Sequence, residues 1–287
     1  MKNIGIFANC DKPSAPVVLR RLERLAKKFG FQLMAADPVA DLLPTAIRAE
    51  PATLIREIDC LLVLGGDGTM LSAIRLLNGC DIPVLGVNLG SLGFLTSVAE
   101  EDLEHALVCL ARSRFTTSRR TLVNCGVRRG STIISRYRAL NDIVIERGTS
   151  SRIITLNLKV DKEEVSAYMA DGLIISTPTG STGHSLSAGG PILLPESRSL
   201  VVSPICPHTL STRPLVIPDG KRIGVTVAKS TGNLQLSVDG QVGEPLHIGD
   251  RVEVRRSPRQ ARFIHLPDYS YFSVLRQKLH WRGSALA

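Results

Sequence analysis

The chain predicts two domains of different class: a Rossmann-like α/β domain followed by a mostly-β, sandwich-like domain. Three observations carry this. Before about residue 100, short apolar runs alternate with segments of helical period, as parallel βαβ units do. A glycine loop, "GGDGT" (65 to 69), falls between one such run and a helical segment, at the place where open α/β sheets bind ligands. From about Arg114 to Phe263 the helical period gives way to short alternating or apolar stretches separated by turn residues. The expected division is 1–100 for the α/β domain and 101–268 for the mostly-β domain. A helical tail, 269–287, is expected to return to the first domain.

The elements follow in order. "NIGIFAN" (3 to 9) is a short run of apolar and β-branched residues, as in a buried strand. Between Ala15 and Phe29, the residues Val18, Leu22, Leu25 and Ala26 share one helical face, and Gly30 ends the helix. "FQLMAA" predicts a second strand. "CLLVLG" (60 to 65) is continuously apolar, as a central parallel strand is. A helix is expected from Thr69 to Leu77, a strand at "IPVLGVNLG" (82 to 90), and a helix near "EDLEHALVCLA" (101 to 111). Strands are then expected at "TLVNCGV", "IVIERG", "ITLNLKVD", "GLIISTP", "LVVSPI", "IGVTVA", "LQLSVDG" and "DRVEVRR". A short helix is expected at Ser273 to Trp281. No long linker, low-complexity tract or solenoid repeat interrupts the chain.

Composition narrows the function classes. At 287 residues and 44% hydrophobic, the chain can bury a large core, and with 4% aromatics that core must be mainly aliphatic. No apolar run is long enough to span a bilayer, and the start lacks the sustained apolar region of a signal peptide. The six cysteines form no C-x-x-C pair and read as reduced thiols of a cytoplasmic protein, not as disulfides or a metal site. The net charge of +9 is dispersed, with small groups at Arg119–Arg120, Arg128–Arg129 and "RRSPRQAR" (255 to 262). Without a helix-turn-helix, zinc or RNA-binding signature, and with few aromatics for base stacking, this is a solvated basic surface suited to anionic small molecules.

Two glycine loops carry the chemistry. In "GGDGT", Gly65, Gly66 and Gly68 allow phosphates close to the backbone, and free N–H groups at a helix start favour anions. Neither the Walker pattern nor G-x-G-x-x-G is present. Asp67 discriminates further, because a carboxylate among phosphates is repulsive unless a divalent cation offsets it or it takes a proton from an attacking hydroxyl. Both roles fit phosphoryl transfer; the plainer alternative is that Asp67 or Thr69 caps the helix. The second loop, "DGLIISTPTGSTGHSLSAGGPI" (171 to 192), follows an apolar strand with hydroxyls at Ser176, Thr177, Thr179, Ser181, Thr182, Ser185 and Ser187 and with glycines at 180, 183, 189 and 190. It offers many donors to a polyoxyanion or a ribose. One such loop per domain implies a ligand rich in phosphates and hydroxyls bound between the domains.

Together these residues resemble the NAD kinase family. "GGDGT", "LNDIVIERG" (140 to 148), the long glycine-rich segment, "SPICPHTLSTRPLVIP" (203 to 218) and "VDGQ" (238 to 241) match family segments in order over nearly the whole chain. The resemblance implies transfer of the ATP γ-phosphate, or in some members a polyphosphate phosphate, to the 2′-hydroxyl of the adenosine ribose of NAD⁺. ATP and NAD are then substrates, and a divalent metal ion, Mg²⁺, is implied. The same resemblance implies that Asp67 is the general base or a hydroxyl-orienting group, while Gly65, Gly66, Gly68 and Thr69 contact phosphates. Asn141 and Asp142 would hydrogen-bond adenine and ribose, and Asp171 would lie near the nicotinamide end. Thr179, Ser181, Thr182 and Ser187 match positions around the dinucleotide, and Phe94 matches an apolar residue near the adenine. Asp239 would reach the site from the second domain or a neighbouring subunit. No metal ligand is assigned to a protein side chain. A homodimer or homotetramer is implied, with sites completed across the interface. Two departures stand out: Gly183–His184 replaces a usual Ala-Tyr, so that His184 takes the stacking position, and Asp142 stands where Glu is common.

Competing classes are a lipid or sugar kinase using the same loop and an NAD-binding sensor that has lost catalysis. A lipid kinase calls for a membrane-facing amphipathic element that the sequence lacks. The mostly-β half argues against a phosphofructokinase. The intact "GGDGT" argues against the sensor.

Overall fold

A computed structural model describes residues 1–90, 93–148 and 152–281. The chain divides into two compact units, Met1–Arg119 with Ala261–Ala287, and Arg120–Gln260.

The first unit begins with β1 (Asn3–Ala8), α1 (Ala15–Phe29), β2 (Gln32–Ala35) and β3 (Ile47–Arg48). It continues through α2 (Pro51–Glu57), β4 (Cys60–Gly65), α3 (Asp67–Leu77), β5 (Pro83–Asn88), β6 (Val98–Ala99) and α4 (Leu103–Ala111). Strands β3, β2, β1, β4 and β5 lie side by side in that order and all run parallel. The order reverses between β1 and β4, which makes their carboxyl ends the topological switch point. Every residue of β4 and β5 is buried, as the continuous apolar runs require. Helix α1 buries Val18, Leu19, Leu22, Leu25 and Ala26 on one face. It ends at Gly30, whose φ of 74° is the left-handed cap glycine adopts without strain. Helix α4 adds Leu103, Ala106, Leu107 and Leu110 to the same core as α1. It therefore belongs to this unit, whereas a boundary at residue 100 had placed it in the second.

The second unit contains β7 (Thr116–Arg129), β8 (Thr132–Ala139), β9 (Asp142–Arg147), β10 (Ile154–Val160), β11 (Glu163–Ala170) and β12 (Gly172–Ser176). A short α5 (His184–Ser187) is followed by β13 (Ser199–Ile205), β14 (Leu215–Pro218), β15 (Ile223–Lys229), β16 (Leu234–Val238), β17 (Val242–Leu246) and β18 (Arg251–His265). One sheet has the order β14-β13-β12-β9-β16-β17, antiparallel throughout. Facing it are β11, β10, β15 and the first half of β18, together with the β7–β8 pair. Their inward residues make a single aliphatic core that includes Val123, Ile143, Ile145, Leu156, Leu173, Ile175, Leu200, Val225, Leu236 and Val252. This is a sandwich, with side chains alternating in and out of the core.

The two passages of chain between the units fall inside long strands rather than linkers, within β7 and within β18. The last residues of β18 pair in parallel with β5 through Arg262 and Phe263, so a boundary at 268 falls several residues late. The chain closes on α6 (Tyr271–Lys278), which Ser270 caps by accepting the Ser273 N–H. The expected helix began two residues later, and the end of the expected tail, 282–287, lies outside the described residues.

Candidate functional site

In the first unit the glycine loop joins β4 to α3 at the switch point. Gly65 ends the strand, Gly66 precedes the helix, and Asp67 is its first residue. The helix thus starts two residues before Thr69. A Cβ on Gly65 would overlap the Thr69 side chain, so only glycine allows the turn to close this tightly. Asp67, Thr69 and Gly66 are half-buried and Gly68 is exposed.

Asp67 does not cap its own helix. Its Oδ2 accepts the N–H of Phe94 at 2.8 Å, and its Oδ1 accepts the N–H of Leu95 at 3.0 Å. A Cβ on Gly93 would overlap the same carboxylate, so the 93–95 backbone wraps it closely. That wrap is anchored by buried Thr96, whose Oγ1 accepts the Gly93 N–H at 3.1 Å and an Asn88 Nδ2 hydrogen at 3.1 Å. Each carboxylate oxygen keeps acceptor capacity beyond the one amide it holds. Phe94 contributes its backbone N–H here, and its half-buried ring is a separate element from that contact. Ser91 and Leu92 of the "GSLG" segment lie outside the described residues.

In the second unit the site residues gather where β9 begins and β12 ends, since Asp142 pairs with Ser176. The Asn141 carbonyl accepts the Thr177 N–H at 2.8 Å, and a Cβ on Gly180 would overlap that carbonyl. The glycine-rich loop therefore packs directly on Asn141. Asn141 Oδ1 and Thr179 Oγ1 are buried without a hydrogen-bond partner, and buried polar atoms in that state await a ligand or water. Asp142 is 5% exposed, and no hydrogen bond among the described residues reaches its carboxylate. Burial, with the negative charge of Asp239 adding to it, pushes its pKa up to about 7.

The remaining expected residues differ in what they do. Ser181 is fully buried, and its hydroxyl donates to the Pro178 carbonyl and accepts the Leu193 N–H, so it holds the loop together. Thr182 Oγ1 donates to the Thr179 carbonyl. His184 and Ser187, the first and last residues of α5, are exposed. Asp239 directs its carboxylate at the backbone of 140–142. Asp171 stands at the opposite end of β12 from this cluster, five residues or roughly 17 Å of strand away, and its Oδ2 accepts from Arg147 Nη2 at 2.9 Å. Sequence reasoning assigns no role to Gly93, Leu95, Thr96 or Arg147, and Thr177 enters it only as one hydroxyl among several in the second glycine loop. "GSLG" and "LNDIVIERG" contain Gly93 and Arg147 without saying what they touch. No group of three or more acidic, histidine or cysteine side chains that could hold a metal ion occurs among the described residues.

Comparison with known proteins gives a consistent picture. Residues 4–115 match the ATP-NAD kinase N-terminal domain model, and residues 140–266 match the ATP-NAD kinase C-terminal domain model. An NAD kinase of Syntrophotalea carbinolica is 41% identical over 282 residues, covering 98% of this chain and 99% of its own. One of Gemmatimonas aurantiaca is 41% identical over 281 residues, covering 98% and 96%. Among solved structures, a yeast NADH kinase complexed with NADH superposes with a TM-score of 0.90 at 27% identity, covering 99% of this chain and 89% of that one. An NAD kinase from Archaeoglobus fulgidus in complex with ATP shares the fold, with a TM-score of 0.77 at 24% identity and coverage of 99% and 100%.

Proposed function

Because the chain belongs to the ATP-NAD kinase family and is an ATP-dependent NAD⁺ kinase, we propose how its own residues divide the work. NADP⁺ differs from NAD⁺ by a phosphate on the adenosine 2′-oxygen, so that hydroxyl is the nucleophile and must lose its proton. Asp67 is the group that orients and deprotonates it. The observation that carries this reading is the pair of hydrogen bonds donated by the Phe94 and Leu95 N–H groups, which fix the Asp67 carboxylate at the switch point with acceptor capacity to spare. The backbone of Gly65, Gly66, Gly68 and Thr69 receives phosphates, supported by the tight glycine turn and by its place at the start of α3.

Asn141 and Asp142 receive the adenosine half of NAD. Asn141 supplies both a donor and an acceptor, as an adenine edge requires, and its Oδ1 is buried without a partner. Thr179 Oγ1 belongs to the same surface. Thr182, His184, Ser187 and the ring of Phe94 are proposed contacts on the strength of family resemblance and position. A divalent ion enters with ATP as part of the substrate: Mg²⁺ is commonly held by phosphates and one or two carboxylates rather than by an all-protein cage, and the described residues build no such cage. A homodimer or homotetramer is part of the proposal, and it offers a use for Asp171, which stands a strand's length from Asn141 in its own chain. So is a cytoplasmic location, supported by six unpaired cysteines. No helix among the described residues is long and apolar enough to cross a membrane.

The test is NADP⁺ formation by purified protein from NAD⁺, ATP and Mg²⁺, with NADH and polyphosphate run in parallel. Turnover that collapses in Asp67→Asn supports the assignment. Near-normal turnover in that variant would overturn it.

A further inference from the structure

Asp239 lies in the hairpin turn between β16 and β17. Its φ is 52° and that of Gly240 is 65°, and the Gln241 N–H donates to the Val238 carbonyl at 3.1 Å. Asp-Gly is a common sequence for such a turn, and Asn-Gly would serve it equally. The carboxylate does something the turn does not need. Its Oδ2 accepts the Leu140 N–H at 3.0 Å, while its Oδ1 accepts the N–H groups of Asn141 at 2.7 Å and Asp142 at 3.1 Å. Three consecutive amides thus converge on one carboxylate.

The carbonyls of the same three residues are also occupied. Leu140 O accepts from Thr177 Oγ1 at 2.5 Å, Asn141 O from the Thr177 N–H at 2.8 Å, and Asp142 O from the Asp239 N–H at 3.0 Å. All six backbone polar groups of 140–142 are therefore engaged, while Asn141 Oδ1 is buried with no partner. The backbone is fixed and the side chains are left for a ligand. Keeping a carboxylate here also has a cost, because its charge disfavours the ionised form of neighbouring Asp142.

We propose that Asp239 is a positioning residue for NAD recognition: it does not touch the dinucleotide but fixes the Leu140–Asp142 backbone so that Asn141 and Asp142 face the adenosine. Bonds from amides to a carboxylate are stronger than neutral ones and hold direction, and a recognition group displaced by a fraction of an ångström loses much of its value. The proposal rests on the reading that Asn141 and Asp142 receive the adenosine, and its test separates the two.

The test compares the full chain with Asp239→Gly, Asp239→Asn and Asn141→Ala. Glycine removes the carboxylate without straining the left-handed backbone, and asparagine keeps the turn and one acceptor. The readouts are KM for NAD⁺ and for ATP, kcat, calorimetric NAD⁺ binding without ATP, and thermal unfolding. Asp239→Gly is expected to raise KM and Kd for NAD⁺ about tenfold, with KM for ATP within about twofold. Asp239→Asn is expected to lie between it and the native chain. If Asn141→Ala weakens NAD⁺ but Asp239→Gly lowers only the unfolding temperature, positioning is overturned while the adenosine reading stands. If Asn141→Ala leaves NAD⁺ affinity unchanged, the adenosine reading fails and takes the proposal with it. Should Asp239→Gly not fold, Asp239→Asn decides alone, and unchanged NAD⁺ affinity in it overturns the proposal.

Discussion

Gly93 and Asp67 lie so close that a Cβ on Gly93 would overlap Asp67 Oδ1. The two are 26 residues apart, and the contact is made by backbone folding around a carboxylate. The Gly93→Ala variant must therefore either push the carboxylate off the Phe94 and Leu95 amides or move the 93–95 segment. Displacing a reacting group by about 1 Å costs on the order of 10²-fold. A loss of that size in kcat is expected, with both units still unfolding cooperatively. A variant with native kcat would mean that Asp67 tolerates another seat and that its geometry is not the source of rate.

Asp67→Asn keeps one carbonyl oxygen for an amide but turns its NH₂ toward the other N–H, and it cannot take up a proton. Turnover is expected to fall ~10²–10⁴-fold, the usual worth of a general base. NAD⁺ binding, which the proposed adenosine contacts of Asn141 and Asp142 would largely carry, is expected to change little. Calorimetry of NAD⁺ binding beside the rate assay distinguishes loss of chemistry from loss of the site. A large loss of binding would mean that Asp67 mainly holds NAD⁺ in the ground state and does not act in the chemical step.

The thiols divide by environment. Cys60 and Cys125 are buried, and burial pushes their pKa up to about 12, so they hold almost no thiolate at neutral pH. Cys80 and Cys206 are exposed. Alkylation of the native protein by iodoacetamide is expected to mark Cys80 and Cys206 first and to reach Cys60 and Cys125 only on unfolding. Peptide mapping by mass spectrometry checks this; early labelling of Cys60 would mean that β4 opens locally.

The sequence made some of these elements legible and concealed others for physical reasons. β4 and α1 were readable because one is a fully apolar run and the other repeats its buried residues at the helical period. β8 and β11 were not, because β8 alternates exposed and half-buried residues and carries Ser and Arg, while β11 opens with five exposed residues, two of them Glu. α2 was missed as well, having Leu54 as its one buried residue. The glycine loops were visible, but what they touch was not. The amides on Asp67 come from 27 and 28 residues away, and those on Asp239 from 97 to 99. Backbone N–H groups have no residue identity, so no motif spells such a contact. The switch from a capping aspartate to a backbone-held one is visible only in three dimensions.

Asp142 makes stability depend on pH in a direction opposite to the common carboxylate. Its pKa is raised from 3.8 to about 7 by burial and by Asp239. Between those values the unfolded chain has lost the proton while the folded chain still holds it, so the folded state binds more protons and stability falls as pH rises. The contribution is fully present below about pH 4 and is lost by about pH 7. Its size is on the order of a few kcal/mol. Asp142→Asn cannot ionise, so its unfolding free energy is expected to exceed that of the native chain at pH 7.5 and to lose this slope between about pH 4 and 7. Urea melts of the two proteins at a series of pH values check it. The native chain and the variant having parallel pH profiles would show that Asp142 is ionised in the fold at neutral pH, and that a partner or water offsets the burial.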